Sequence, residues 1–100
     1  MENIKKEKLA KLSKALGHPH RIEIIQILIN LSSDSQCMVG NIVKQLPISQ
    51  STVSQHLKIL KEAGWIEGNI KGPKVCYCLK QDIFKQYFEL LNKLKNKTIK

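Results

Sequence analysis

Long apolar runs are missing from this 100-residue chain. The longest, Ile22 to Leu31, is interrupted by Glu23, Gln26 and Asn30. It is too short to cross a bilayer, which takes about 20 apolar residues. An export signal is missing as well. Lys5, Lys6, Lys8, Lys11 and Lys14 crowd the start with no apolar stretch behind them, so a cytoplasmic location is expected. Cysteine is sparse and odd in number: Cys37, Cys76 and Cys78 argue against a closed disulfide framework and are expected as reduced thiols in a cytosol. Negative charge is scarce too. Eight Asp and Glu against 17 Lys and Arg leave a net charge of +9. That excess favours a polyanionic partner, either nucleic acid or an anionic membrane surface, although it also simply keeps a chain soluble. No internal repeat or low-complexity tract occurs, apart from a lysine-rich fringe at each end.

What is present suffices for one hydrophobic core, since 42 % of the residues are hydrophobic. A single domain over residues 1–100 is expected. Residues 2–16 place Ile4, Leu9, Leu12 and Leu16 near one helical face, and Gly17 is a natural stop. Pro19 suits the first turn of a second helix, whose Ile22, Ile25, Leu28 and Ile29 recur at helical spacing to about Leu31. Ser32-Ser33-Asp34-Ser35 reads as a loop, and a short helix is expected from about Val39 to Leu46, ended by Pro47. Ser49 caps the next helix, with Ile48 and Val53 as a hydrophobic staple, and Gly64 ends it after Ala63. Two strands, Trp65–Ile70 and Val75–Leu79, flank a hairpin tip at Lys71-Gly72-Pro73-Lys74. Gln81 to about Asn96 is helical again, with Lys93, Lys95, Lys97 and Lys100 in a frayed, solvated end. The fold expected is mainly α with a small β-hairpin: a winged helix-turn-helix, in the order α-α-α-α-β-β-α.

The helix from Gln50 to Ala63 carries the functional signal. At about 100° per residue, Val53, Leu57 and Leu60 cluster on one side with His56 beside them. Ser51, Ser54, Gln55 and Lys58 cluster on the other, flanked by Gln50, Lys61 and Glu62. Short uncharged donors and acceptors suit base edges, with Gln able to pair bidentately with adenine, and later lysines suit phosphates. An ordinary solvated face would have the same periodicity; the preceding helix and turn and the basic hairpin favour nucleic acid. His56 is expected to be packed and hydrogen-bonded, and His18 and His20 to cap or face solvent.

Two runs resemble the ArsR-type (arsenic-repressor, ArsR/SmtB) family of bacterial regulators. They are Ala15-Leu16-Gly17-His18-Pro19-His20-Arg21-Ile22-Glu23-Ile24 and Ser49-Gln50-Ser51-Thr52-Val53-Ser54-Gln55-His56-Leu57-Lys58, with Leu60, Ala63-Gly64 and Val75-Cys76-Tyr77-Cys78-Leu79 following. The likeness covers about residues 8 to 92. It implies a homodimeric repressor on a double-stranded DNA operator, released by a metal or redox signal. It also implies DNA contacts from Gln50, Ser51, Thr52, Ser54, Gln55 and Lys58, and from Lys71 and Lys74 in the wing. The first and last helices would form the dimer interface through Leu9, Leu12, Leu16, Phe84, Tyr87, Phe88 and Leu91. The family's sensing motifs are not intact: the segment Cys37-Met38-Val39-Gly40 lacks a Cys-x-Cys pair, and Asp82 has no histidine beside it from Gln81 to Lys100.

Cys76 and Cys78 share one strand face, and in a winged-helix fold Cys37 lies in the segment that pairs with that strand. Three converging thiolates would suit zinc, cadmium or arsenite as inducer; paired thiols would suit a redox switch; buried cysteine is also a plain apolar filler. Two other functions compete with an operator-binding repressor: a winged-helix module for an acidic protein partner, and an inducer-free regulator. Catalysis by a Cys-His pair is set aside, because no oxyanion loop or cleft is suggested, so no enzyme is expected.

Overall fold

The computed structural model describes residues 5–30, 42–71 and 74–99, the side chains of residues 71, 74 and 96–99 excepted. The described elements are α1 (Lys6–Ala15), α2 (Pro19–Asn30), α3 (Gln50–Ala63), β1 (Ile66–Lys71), β2 (Lys74–Leu79) and α4 (Gln81–Ile99). This is the expected winged helix-turn-helix order, except for the short helix expected before α3. Of the short helix expected at Val39–Leu46, residues 42–43 are helical. They run into a turn closed by Gln45 N–H to Ile42 O and Leu46 N–H to Val43 O, each 3.1 Å; the earlier part lies outside the described residues.

The ends of α3 follow from local chemistry. Ser49 has extended backbone angles and its hydroxyl accepts the Thr52 N–H at 3.2 Å, relieving one orphan donor of the first turn. At the other end Gly64 adopts φ 103°, a left-handed conformation that only glycine takes without strain. Its N–H bonds Lys61 O and the Trp65 N–H reaches back to Leu60 O, the paired closure of a Schellman turn.

That turn drives Trp65 straight into the core. The ring is fully buried, its Nε1 donates to the carbonyl of Leu12 at 2.9 Å, and its edge packs on Tyr87 and Phe84, with centroids 5.0 and 6.0 Å away. Trp65 thus belongs to the core rather than to the strand; β1 begins at Ile66. Around it, Leu12, Ala15, Ile24, Ile25, Leu28, Ile42, Val53, Leu57, Leu60 and Ile66 form one contiguous cluster. The hairpin pairs antiparallel from Ile66↔Leu79 to Lys71↔Lys74, so both strands run one residue further toward the tip than the sequence suggests. The last helix continues to Ile99, three residues past its expected end, because nothing between Asn96 and Ile99 breaks it.

Two expectations need correction. Leu9 and Leu12, expected in a dimer seam, are 9 % and 1 % exposed within the subunit, and Leu12 belongs to its core cluster. Cys76, expected as a reduced thiol, is disulfide-bonded; burial on β2 at 2 % exposure removes it from solvent. Cys78 keeps a thiol that accepts from Asn69 Nδ2 at 3.9 Å, and Cys37 lies outside the described residues. A sulfur in a disulfide is not a thiolate ligand, and among the described residues no group of three or more His, Cys, Asp or Glu is arranged to hold a metal ion.

Candidate nucleic-acid interface

Helix α3 has an inner and an outer face, with Ile59 the apolar residue left exposed at 40 %. Val53, Leu57 and Leu60 have no exposed surface, while Gln50, Ser51, Ser54, Gln55 and Lys58 are exposed. Thr52 is half-buried and its hydroxyl lies 2.9 Å from the Ser49 hydroxyl, so it belongs to the cap as much as to the face. Ser51 also leans on that cap, its hydroxyl 3.2 Å from Ser49 Oγ. The first two turns of the outer face therefore carry short neutral groups, and the cations Lys58 and Lys61 follow toward the C-terminal end. Such a gradient can set neutral donors and acceptors against base edges while the lysines meet phosphate.

The hairpin stands beyond the exit of α3, because Gly64 and Trp65 fix its departure. Lys80 N–H to Trp65 O, 2.9 Å, closes its base. Lys71 and Lys74 are register partners at its tip. Next to them Ile70 is 81 % exposed, an apolar residue that projects from the wing.

The inner face is held by a contact the sequence reading did not find. Arg21 spans three elements: its Nε donates to the Ala15 carbonyl at 2.6 Å, and its Nη1 lies 3.2 Å from His56 Nδ1. His56 is 8 % exposed, the one buried polar side chain of the described core. Burial holds its pKa below the ordinary histidine value, and the nearby His18, Arg21 and His20 push it the same way. His56 is inward and hydrogen-bonded, as its helical position suggests. Its partner lies 35 residues away in sequence, and no local signal announces it.

Elsewhere, α1 and α4 are tied by Ser13 Oγ to Tyr87 Oη at 2.9 Å and by Lys8 Nζ to Gln86 Oε1 at 2.7 Å. Leu16, Phe84 and Tyr87 are partly buried against the core. Phe88 and Leu91 are 52 % and 38 % exposed, and Leu94, one turn further along the same helix, is 40 % exposed.

Comparison with known proteins bears on both surfaces. Residues 18–67 match the family model described as bacterial regulatory protein, arsR family. The chain is 34 % identical over 90 residues to an uncharacterized HTH-type transcriptional regulator of Methanocaldococcus jannaschii, covering 90 % of this chain and 98 % of that one. It is 44 % identical over 69 residues to the HTH-type transcriptional repressor SmtB of Mycobacterium tuberculosis, covering 69 % of this chain and 48 % of that one. Among solved structures, the homodimeric winged helix-turn-helix DNA-binding domain of a possible ArsR-family regulator from Mycobacterium bovis superposes with a TM-score of 0.71. That match covers 99 % of this chain and 91 % of the other, at 20 % identity.

Proposed function

Because the chain belongs to the arsR family of bacterial regulatory proteins, we propose that it is a homodimeric transcriptional repressor that binds an operator duplex through α3 and the wing. The observation that carries this reading is the split of α3: neutral Gln50, Ser51, Ser54 and Gln55 in water, with Val53, Leu57 and Leu60 fully enclosed behind them. A face built only for solubility has no need to keep charge out of its first two turns. Thr52 and Lys58, with Lys71 and Lys74 across the hairpin tip, complete the contact set, the lysines toward phosphate. Two subunits, joined through the exposed end of α4, would set their reading helices about 34 Å apart to enter successive major-groove turns. Occupying the operator suffices to repress, because the bound dimer shuts other proteins out of the site. The reading puts the protein on DNA in the cytoplasm, in a non-catalytic role, with the chain acting as one domain.

The disulfide at Cys76 favours a redox signal over a metal ion. A dithiol reductant supplies the two electrons and two protons that convert a disulfide into two thiols. Reduction would release the restraint on Cys76 and alter the wing to which β2 belongs.

The test begins with a pool of randomised duplexes selected on the purified protein over repeated rounds. A palindromic consensus is expected, with affinity that falls steeply as salt rises because lysines displace counterions. Absence of any duplex binding at low salt would remove the reading. Affinity that does not change on adding a dithiol, or in Cys76→Ser, would remove the redox part alone.

A further inference from the structure

All three histidines of the chain gather at one junction, where the start of α2 meets the inner face of α3. His18 and His56 have ring centroids 4.6 Å apart, His18 and His20 5.3 Å, and His20 and His56 6.0 Å. Two of the rings serve as acceptors. His18 is the residue before α2; its carbonyl takes the Ile22 N–H, and its Nδ1 takes the His20 N–H at 3.1 Å, the role that a Ser or Asp plays at other helix starts. His56 Nδ1 faces Arg21 Nη1 at 3.2 Å, and a guanidinium can only donate. Both contacts need a lone pair on Nδ1 and therefore a neutral ring. The third ring is different: His20 Nδ1 lies 2.9 Å from Glu23 Oε1, a carboxylate oxygen that can only accept, so this ring nitrogen is the donor.

We propose that His18, His56 and Arg21 are positioning residues that seat the reading helix while both rings are neutral, and that acidification unseats it. A proton on His56 would turn an acceptor into a donor aimed at a cation, inside a contact 8 % exposed. A proton on His18 would take away the acceptor that starts α2. The groups acting on His56 are His18, Arg21 and His20; α1 and β1, also packed on α3, add no charge to that set among the described residues. Glu23 Oε1 lies 2.9 Å from His20 Nδ1, on the side of that ring. Ser54 and Gln55 directly precede His56 on the same helix, so a shift of its ring displaces the outer face that they form.

The direction of the pH effect follows from linkage. The pKa of His56 is lowered in the folded chain, chiefly by burial. The unfolded chain thus takes up its proton first as the pH falls below the ordinary value of about 6.5. Stability is complete above that value and declines below it. Protonation also adds positive charge, which any duplex attracts; the informative quantity is the ratio of affinity for a selected operator to affinity for a scrambled duplex. This part rests on the DNA-binding reading, whereas the seat itself does not.

The experiment has two arms. In the first, the DNA-free protein labelled with 15N is titrated from pH 8 to pH 5 by NMR; three histidines give three ring signals. The expected result is that the backbone amides of α3 move with the His56 ring, and that the Tm falls over the same range. In the double variant His18→Asn/His56→Gln, whose amide oxygens still accept but do not titrate, both responses flatten. Amides of α3 that ignore the His56 titration, or a double variant with the wild-type pH profile, overturn the proposal. In the second arm, at constant ionic strength, the operator-to-scrambled ratio falls several-fold from pH 7.5 to pH 5.5 in the wild type and stays level in the double variant. A protein that binds no duplex defeats the DNA reading, while the first arm still decides the seat.

Discussion

Helix α3 turns Gln50, Ser51, Ser54 and Gln55 to solvent, and α4 turns Phe88, Leu91 and Leu94. Both helices are amphipathic and both keep their inner faces in the same core, yet their outer faces are made of opposite materials. Apolar surface gains about 25 cal/mol for each Å² removed from water, whatever covers it. The α4 face therefore drives association but reads almost nothing. The α3 face is content in water and gains little by leaving it, but an amide or hydroxyl set against a base edge distinguishes one base pair from another. In the proposed reading, one face holds two subunits together and the other decides where the pair settles.

Four changes separate these roles. Phe88→Glu with Leu91→Glu would have the largest effect. Sedimentation should find monomers, and operator affinity should drop by about 100-fold or more, because each half-site must then be bound alone. A variant that remains dimeric would move the seam off α4. Gln55→Ala should leave the dimer whole and cost about 1–3 kcal/mol of discrimination between the selected operator and a scrambled duplex, measured by competition titration. Equal losses on both duplexes would make Gln55 a general contact. Ser49→Ala touches neither partner. It removes the acceptor of the Thr52 N–H, and urea unfolding should show about 1 kcal/mol less stability. Lys71→Gln and Lys74→Gln should be the mildest, weakening all duplexes alike and flattening the salt dependence by about one unit of slope each.

Much of this arrangement could be read before the structure, and the legible parts share a cause. Ser49 and Gly64 mark the ends of α3 because capping is settled within a few residues of chain. The inner row Val53, Leu57 and Leu60, and the inward His56, follow from helical periodicity alone. Periodicity reports that a stripe is covered but not what covers it. Leu12 thus fits a partner-facing stripe on periodicity alone, whereas in the fold it packs into the same core as Trp65. Arg21 escaped because its three points of attachment, Ala15, its own helix and His56, come together only in the folded chain. The disulfide at Cys76 was illegible for a similar reason: alternation along β2 gives the face of each sulfur and not the distance to another.

The chain has a single tryptophan, and it sits where α1, the hairpin and α4 meet. An indole sealed from water, with its N–H already committed to Leu12, emits at short wavelength and brightens or dims with its surroundings. The protein thus carries its own fluorophore at its hub. Without any attached dye, a shift in that emission on adding duplex, reductant or acid tells whether an event at the rim has travelled to the centre.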